Sequence, residues 1–222
     1  MSTSPIVTIN PDDTFEHLPK APIVEAMIDL RARAEADWKE ELITDVLQSK
    51  LPDYPQRHSL SGFQQQFTLT PGTLPNAETI DTGWEGLRFQ TGDKLHVAQF
   101  SRGGFSFSRL QPYDRWEQLV EEAMRLWNMF VEVAKPTEIQ CVGLRYINSI
   151  KVPSSGFLLE DYMDPAPQDP KGLPLPFQHF FHQDSFGVPG YPYAVRLIRT
   201  NSTGAKSESG LWRPYCWTSR SL

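Results

Sequence analysis

The longest alternation of apolar and polar positions in the chain covers residues 139–152, and it predicts a β-strand. Successive side chains of a strand point to opposite faces of its sheet. One face carries mostly apolar side chains, interrupted by one asparagine: Val142, Leu144, Tyr146, Asn148, Ile150 and Val152. The opposite face carries two cations, Arg145 and Lys151. We therefore expect the apolar face to pack into a core and the other face to be able to hold an anion.

A second long strand is predicted near the N-terminus, at residues 24–33. The side chains of one face are apolar at every second position, from Val24 to Ala32. The other face is semi-polar and consists of Glu25, Met27, Asp29, Arg31 and Arg33. Shorter alternating runs predict an antiparallel meander and one further strand, at residues 63–69, 84–90, 94–100, 105–110 and 193–199.

Two amphipathic helices are predicted between these strands. Each begins with an aspartate followed three residues later by a glutamate, which is the pattern of a capping box: Asp37 with Glu40, and Asp114 with Glu117. The second helix has an apolar stripe with a spacing of three or four residues: Trp116, Leu119, Val120, Ala123, Trp127, Phe130 and Ala134. Residues 176–183 predict a short third helix. The order of elements predicts an α+β fold, in which two main helices pack on one face of a largely antiparallel, curved sheet.

The ends of the chain differ in character from its middle. Residues 1–16 are polar and punctuated by proline, so we expect a flexible N-terminal arm. Residues 17–200 carry all of the periodic segments and are predicted to form a single α+β domain. Residues 201–222 mix serines with scattered aromatic residues and have no periodicity, which predicts a disordered or incidental tail.

Composition narrows the possible classes of protein. A hydrophobic content of 39% over 222 residues is too high for a disordered chain. The net charge of −6 argues against a surface built wholly for nucleic acid, although a local basic face is compatible with it. No apolar run approaches the roughly 20 residues that cross a bilayer, and the N-terminus has no leader pattern, so we expect a cytoplasmic protein. Two cysteines exclude a disulfide framework and a four-thiolate zinc site.

The polar faces of the two long strands form the first candidate site. Its charged residues are Glu25, Asp29, Arg31, Arg33, Arg145 and Lys151. If the strands are neighbours, these side chains would line a groove for a phosphorylated or carboxylated ligand, because arginine offers a planar fork and lysine a point charge. The alternative, which we favour, is a set of cross-strand ion pairs on a solvated sheet face.

A second candidate group lies around the start of the second helix and the central strand. It comprises Arg109, Tyr113, Trp116, Arg145, Tyr146 and Asn148. These groups would suit the recognition of a base or a peptide. We favour a structural network, because an asparagine on an apolar strand face requires hydrogen-bond partners.

The sequence carries no recognisable catalytic signature. It has no P-loop, no dinucleotide-binding glycine pattern, no nucleophile elbow and no HExxH motif. On a helix, His179 and His182 would lie about one turn apart and would suit a metal together with Asp184, but packing as a histidine-flanked aromatic anchor is favoured. We therefore predict no catalytic residue and no metal site, and we assign no cofactor.

Three motifs resemble a sporadically distributed family of uncharacterised bacterial proteins. They are APIVEAMIDLR at 21–31, FSFSRLQPYDRW at 105–116 and GLRYINSI at 143–150. The resemblance implies no particular reaction, and the sporadic distribution implies a mobile or defence-associated locus. The family pattern continues with strand and helix material after residue 199, so we expect the C-terminus of this chain to be truncated or altered.

These observations leave three functional hypotheses. The leading one is a non-catalytic binding or interaction module of the bacterial cytosol, whose partner is a protein or an anionic small molecule. The alternative is an enzyme or sensor that binds a phosphate-bearing ligand through Arg31, Arg33, Arg145 and Lys151, with an acidic residue of the first strand in acid–base or metal chemistry. The third is a degraded relative without activity.

Overall fold

The computed structural model describes Asn10 and residues 12–68, 76–153, 156–164, 166 and 179–201. The elements are β1 (Ile23–Arg31), α1 (Glu40–Lys50), β2 (Gln56–Thr68), β3 (Asn76–Gln90), β4 (His96–Ser101), β5 (Gly104–Leu110), α2 (Trp116–Ala134), β6 (Cys141–Asn148), a 3₁₀ turn (Leu159–Asp161), β7 (Phe181–Gly187) and β8 (Ala194–Thr200). Contacts between residues divide the chain into two units. The first holds β1 to β6 with both α-helices, and the second holds β7 and β8.

The first unit is built on a six-stranded sheet with the strand order β2-β3-β4-β5-β1-β6. Every neighbouring pair of strands in it is antiparallel. Together with two α-helices, this sheet confirms the predicted α+β class. The predicted single domain over residues 17–200 stays a prediction, as does the arm at 1–16. Apart from Asn201, the predicted tail at residues 201–222 lies outside the described residues.

The core lies between the helices and one face of this sheet. On β1 the side chains of Ala26, Ile28 and Leu30 are buried, as the alternation predicts. An aromatic cluster surrounds Phe105 of β5, and its members contact one another across the sheet and α2: Phe89, Phe100, Trp127 and Phe130. Side chains of both α1 and α2 belong to the larger cluster of buried apolar residues around these rings, so the two helices pack on the same face of the sheet.

The predicted capping boxes are wrong. The residue before α1 is Lys39 and the residue before α2 is Arg115, and neither side chain caps its helix. Asp37 forms an ion pair with Lys39 instead, at 2.8 Å between Nζ and Oδ2. α1 therefore begins three residues after Asp37 and α2 two residues after Asp114, one or two residues later than an aspartate cap would give. Packing of the apolar stripe sets the position of each helix more than the cap does.

The second unit contains an antiparallel hairpin of β7 and β8, paired from Phe181 opposite Thr200 to Gly187 opposite Ala194. The short helix predicted at 176–183 is wrong where the structure describes it, because Phe181 begins a strand. His179 and His182 therefore do not have the one-turn spacing expected of a helix.

Within the described part of the chain, neither α-helix combines the length and apolar character required to cross a membrane.

Candidate functional site

The face of the sheet opposite the helices carries a charged cluster centred on Glu25. Glu25 Oε1 accepts a hydrogen bond from Ser108 Oγ of β5 at 2.8 Å. It also accepts one from Arg145 Nη2 of β6 at 3.1 Å. Because β1 lies between β5 and β6, one carboxylate joins three neighbouring strands. This is the cross-strand ion pair that the sequence favours for Arg145.

A second ion pair lies further along β1, between Arg31 Nε and Asp29 Oδ2 at 3.4 Å. Burial raises the pKa of the Asp29 carboxyl above its usual value, although Arg31 and Arg145 act in the opposite direction. The side chain of Asp29 is only 19% exposed. Arg31 and Arg145 of the predicted groove therefore lie beside partly buried carboxylates, on one face of the sheet.

The other two predicted cations lie beyond the ends of their strands. β1 ends at Arg31, so the exposed Arg33 is outside the strand. β6 ends at Asn148, and Lys151 belongs to the second unit of the chain. The structure brings Glu25, Asp29, Arg31 and Arg145 together, and the ligand-binding role of the whole set stays a prediction.

The second predicted group is divided between the two faces of the sheet. Tyr113 and Tyr146 meet edge to face, with ring centroids 5.8 Å apart, on the helix side. Arg145 lies on the opposite face, because it is one position away from Tyr146 along the strand. Asn148 is exposed at the end of β6, opposite Ile23, so it does not impose the cost of a buried polar group.

Arg109 and Tyr113, which the sequence analysis placed in this second group, line a small cleft at the start of α2. The cleft is lined by His96, Phe107, Arg109, Tyr113, Asp114, Arg115, Gln118 and Leu119. His96 pairs directly with Arg109 across β4 and β5 and stacks on Phe107, with ring centroids 5.9 Å apart. Nη1 of Arg109 is buried and has no hydrogen-bond partner within the described residues.

His96 has an environment that disfavours its charged form. Burial lowers the pKa of its imidazole below the usual value, and the adjacent Arg109 guanidinium lowers it further. Asp93 and Glu122 act in the opposite direction without reversing the shift. The pattern of apolar positions gave no signal for this residue, because a histidine at the start of a strand has no distinctive spacing.

We expect His96 to make the stability of the protein fall as the pH decreases below about 6.5, the usual histidine pKa. Below that pH the unfolded chain takes up a proton that the folded chain resists, so protonation favours unfolding. The loss should be smaller in His96→Gln than in the wild type, measured by urea unfolding at about pH 7.5 and about pH 5.5. The control is His58→Gln, at an exposed position on β2, which should keep the wild-type loss. Identical pH dependence in wild type and His96→Gln would contradict this assignment.

The helix side of β6 carries an exposed row of Val142, Leu144 and Tyr146, which we call the β6 apolar surface. These side chains are 67%, 51% and 38% exposed, respectively. Their direct neighbours on β1 are Leu30, Ile28 and Ala26, which are at most 8% exposed. The prediction that this face of the strand packs into the core is therefore wrong. The core ends at β1, and the apolar face of the sheet continues beyond it.

The position of α2 explains this exposure. α1 packs against β3 and α2, whereas α2 packs against β5 and β1. On the flank of α2 turned away from α1, Val120 is partly buried, and Met124 and Val131 are exposed. Since β6 lies beyond β1 on that side, the exposed flank of α2 and the β6 apolar surface form two walls of one apolar corner.

The described residues contain no group of three potential metal ligands. Asp184 of the hairpin lies 2.7 Å from Arg199 in an ion pair.

No protein-family model, curated protein or solved structure matches this chain.

Proposed function

We propose that this chain is a non-catalytic interaction module of the bacterial cytosol, which binds a protein partner through the β6 apolar surface. The observation that carries the proposal is the contrast between β1 and β6. The two strands are neighbours and carry apolar side chains on the same face, but that face is covered on β1 and exposed on β6. A continuous exposed apolar row beside a core is typical of a surface that another molecule covers.

The charged face supports the alternative function less well. A phosphate site requires cations that a ligand can reach, whereas Arg145 contacts Glu25 and Arg31 contacts Asp29. An anion entering this face would displace these carboxylates or lie beside them, at a cost in electrostatic energy. We therefore prefer a protein partner to a phosphate-bearing ligand.

Replacing Leu144 with aspartate tests the proposal. We expect Leu144→Asp to weaken binding of the partner at least about 30-fold, because burying a carboxylate in an apolar contact costs about 2 kcal/mol or more. Partners would be captured from lysate of the native host with wild type and variant in parallel. The affinity of each purified partner for both forms would then be measured by titration calorimetry.

The matched control is Leu42→Asp on α1. Leu42 is 54% exposed, close to the 51% of Leu144. It lies on α1, away from β6. Circular dichroism and urea unfolding should show that both variants remain folded. If Leu144→Asp keeps every partner at the affinity of wild type, the proposed function is wrong.

A further inference from the structure

The cleft at the start of α2 encloses part of the guanidinium group of Arg109. This side chain lies on the helix side of β5, on the same face as the buried Phe105 and Phe107. Its Nη1 atom is buried and has no hydrogen-bond partner within the described residues. None of the ion pairs formed by arginines in these ranges includes Arg109. Because a buried donor without a partner is costly, this nitrogen is suited to an acceptor from outside the chain.

The size of the cleft limits what that acceptor can be. Two of its lining side chains, Phe107 and Leu119, are at most 2% exposed, whereas Asp114, Arg115 and Gln118 are exposed. The cleft is therefore apolar at its base and polar at its mouth. Its volume is about 20 Å³, and a water-sized group needs about 10–15 Å³. This is space for the two oxygens of a carboxylate, and it is less than the four oxygens of a phosphate require.

The charges around the cleft favour a ligand with a single negative charge. Arg115 and Asp114 form an ion pair with each other, at 3.4 Å between Nε and Oδ2, so their charges offset. Burial and the adjacent Arg109 guanidinium lower the pKa of His96, so its imidazole is neutral at about pH 7. The positive charge of Arg109 remains unopposed among the lining residues, and a monoanion complements it better than a dianion does.

We propose that this cleft is a binding site for a carboxylate group, which accepts a charge-assisted hydrogen bond from Arg109 Nη1. The carboxylate belongs either to a small free acid or to a peptide, and both sources share this chemistry. Gln118 lines the mouth with a neutral amide, which does not repel an anion. The β6 apolar surface contributes no residue to the cleft, so the inference does not rest on the proposed function and either can fail alone.

Titration of the isotope-labelled full chain with sodium acetate, followed by nuclear magnetic resonance, tests the inference. The signals to follow are the Nε–H group of Arg109 and the backbone amides of His96, Arg109 and Gln118. We expect saturable shifts with a Kd on the order of 1–10 mM, because a ligand of so few atoms binds weakly. Chloride and phosphate, added at the same ionic strength, should bind at least about tenfold more weakly than acetate.

Replacing Arg109 with glutamine removes the proposed donor and its charge. We expect Arg109→Gln to weaken acetate binding at least about tenfold. The matched control is Arg88→Gln on β3. Arg88 is also a half-buried strand arginine, and its Nε atom is buried without a partner among the described residues. It adjoins the buried Phe89 and so lies on the other face of the sheet, away from the cleft, and its replacement should leave the affinity for acetate unchanged.

A second variant changes the mouth of the cleft at an exposed position that folding does not depend on. Gln118→Glu has almost the same shape and places a negative charge beside the proposed carboxylate, so acetate binding should weaken at least about fivefold. Asn128→Asp is the control, because Asn128 is also exposed on α2 and undergoes the same change from amide to carboxylate. It should bind acetate as the wild type does.

An acetylated trialanine peptide distinguishes the two sources of the carboxylate. Tighter binding of the peptide acid than of acetate, without binding of the peptide amide, assigns the site to a peptide carboxylate. Binding of acetate alone assigns it to a small free acid. Absence of saturable shifts at Arg109 would show that only water enters the cleft, and would overturn the inference. Equal affinity for acetate and chloride would also overturn it, as would unchanged acetate binding in Arg109→Gln, or in Gln118→Glu if Arg109→Gln does not fold.

Discussion

Replacing Phe105 with alanine is expected to lower the free energy of unfolding by about 3–5 kcal/mol, the usual cost of removing a buried aromatic ring. Phe105 is 1% exposed. Its ring centroid lies 5.3 Å from that of Phe100, 6.3 Å from that of Trp127 and 6.4 Å from that of Phe130. The ring therefore joins the sheet to α2, and alanine would leave a cavity where the two layers meet. Urea unfolding followed by tryptophan fluorescence measures the loss.

Phe63→Ala is the matched control for Phe105→Ala. Phe63 is also a phenylalanine in a strand, but it is 65% exposed on β2. We expect its replacement to change the free energy of unfolding by no more than about 0.5 kcal/mol, because an exposed side chain leaves no cavity. Similar losses in the two variants would show that Phe105 is not at the centre of the core.

The sequence predicted correctly which side of β1 and which side of α2 face the core. The alternation in β1 assigned the buried row correctly, and the three- and four-residue spacing in α2 assigned Leu119, Ala123, Trp127 and Phe130 correctly. In both elements the apolar residues are buried by neighbours in the core, so their period alone determines which side faces inward. Trp116 is the exception, since it is exposed at the first residue of α2.

The sequence could not show that the β6 apolar surface is exposed. Alternation tells which side chains share a face, but it does not give the order of strands in a sheet or the reach of a helix above it. The prediction for β6 failed because α2 covers β5 and β1, and β6 lies one strand further out. Strand order depends on pairings between distant segments, and no local pattern in the sequence encodes them.

The sequence predicted the residues of the charged face and favoured cross-strand ion pairs among them, but it did not give the strand register that decides which residues meet. The sequence placed Glu25 and Arg145 on polar strand faces, and the structure brings them to 3.1 Å. That contact depends on the antiparallel register, in which Arg145 lies opposite Met27 and so diagonal to Glu25. The strand at Phe181 was missed for a different reason, because a short run of aromatic residues and histidines does not distinguish a strand from a helix.

Gly104 is the position where the approach of β5 to β1 depends most directly on the absence of a side chain. It begins β5 and lies opposite Arg31. Its φ is +146°, a conformation that residues with a Cβ rarely adopt. A Cβ at this position would lie 2.4 Å from the carbonyl oxygen of Leu30 and 3.0 Å from the Cα of Arg31. Both are backbone atoms of β1, which cannot move aside without disturbing the pairing of the two strands.

We therefore expect Gly104→Ala to lower the free energy of unfolding by about 2–5 kcal/mol, from the combined cost of backbone strain and overpacking. The matched control is the preceding residue, Gly103, where a Cβ would have no atom within 4 Å. Gly103→Ala should change stability by no more than about 0.5 kcal/mol, or raise it slightly by restricting the unfolded chain. Urea unfolding of the two single variants measures the difference. Equal stability of the two would mean that β5 approaches β1 less closely than the distances at Gly104 indicate.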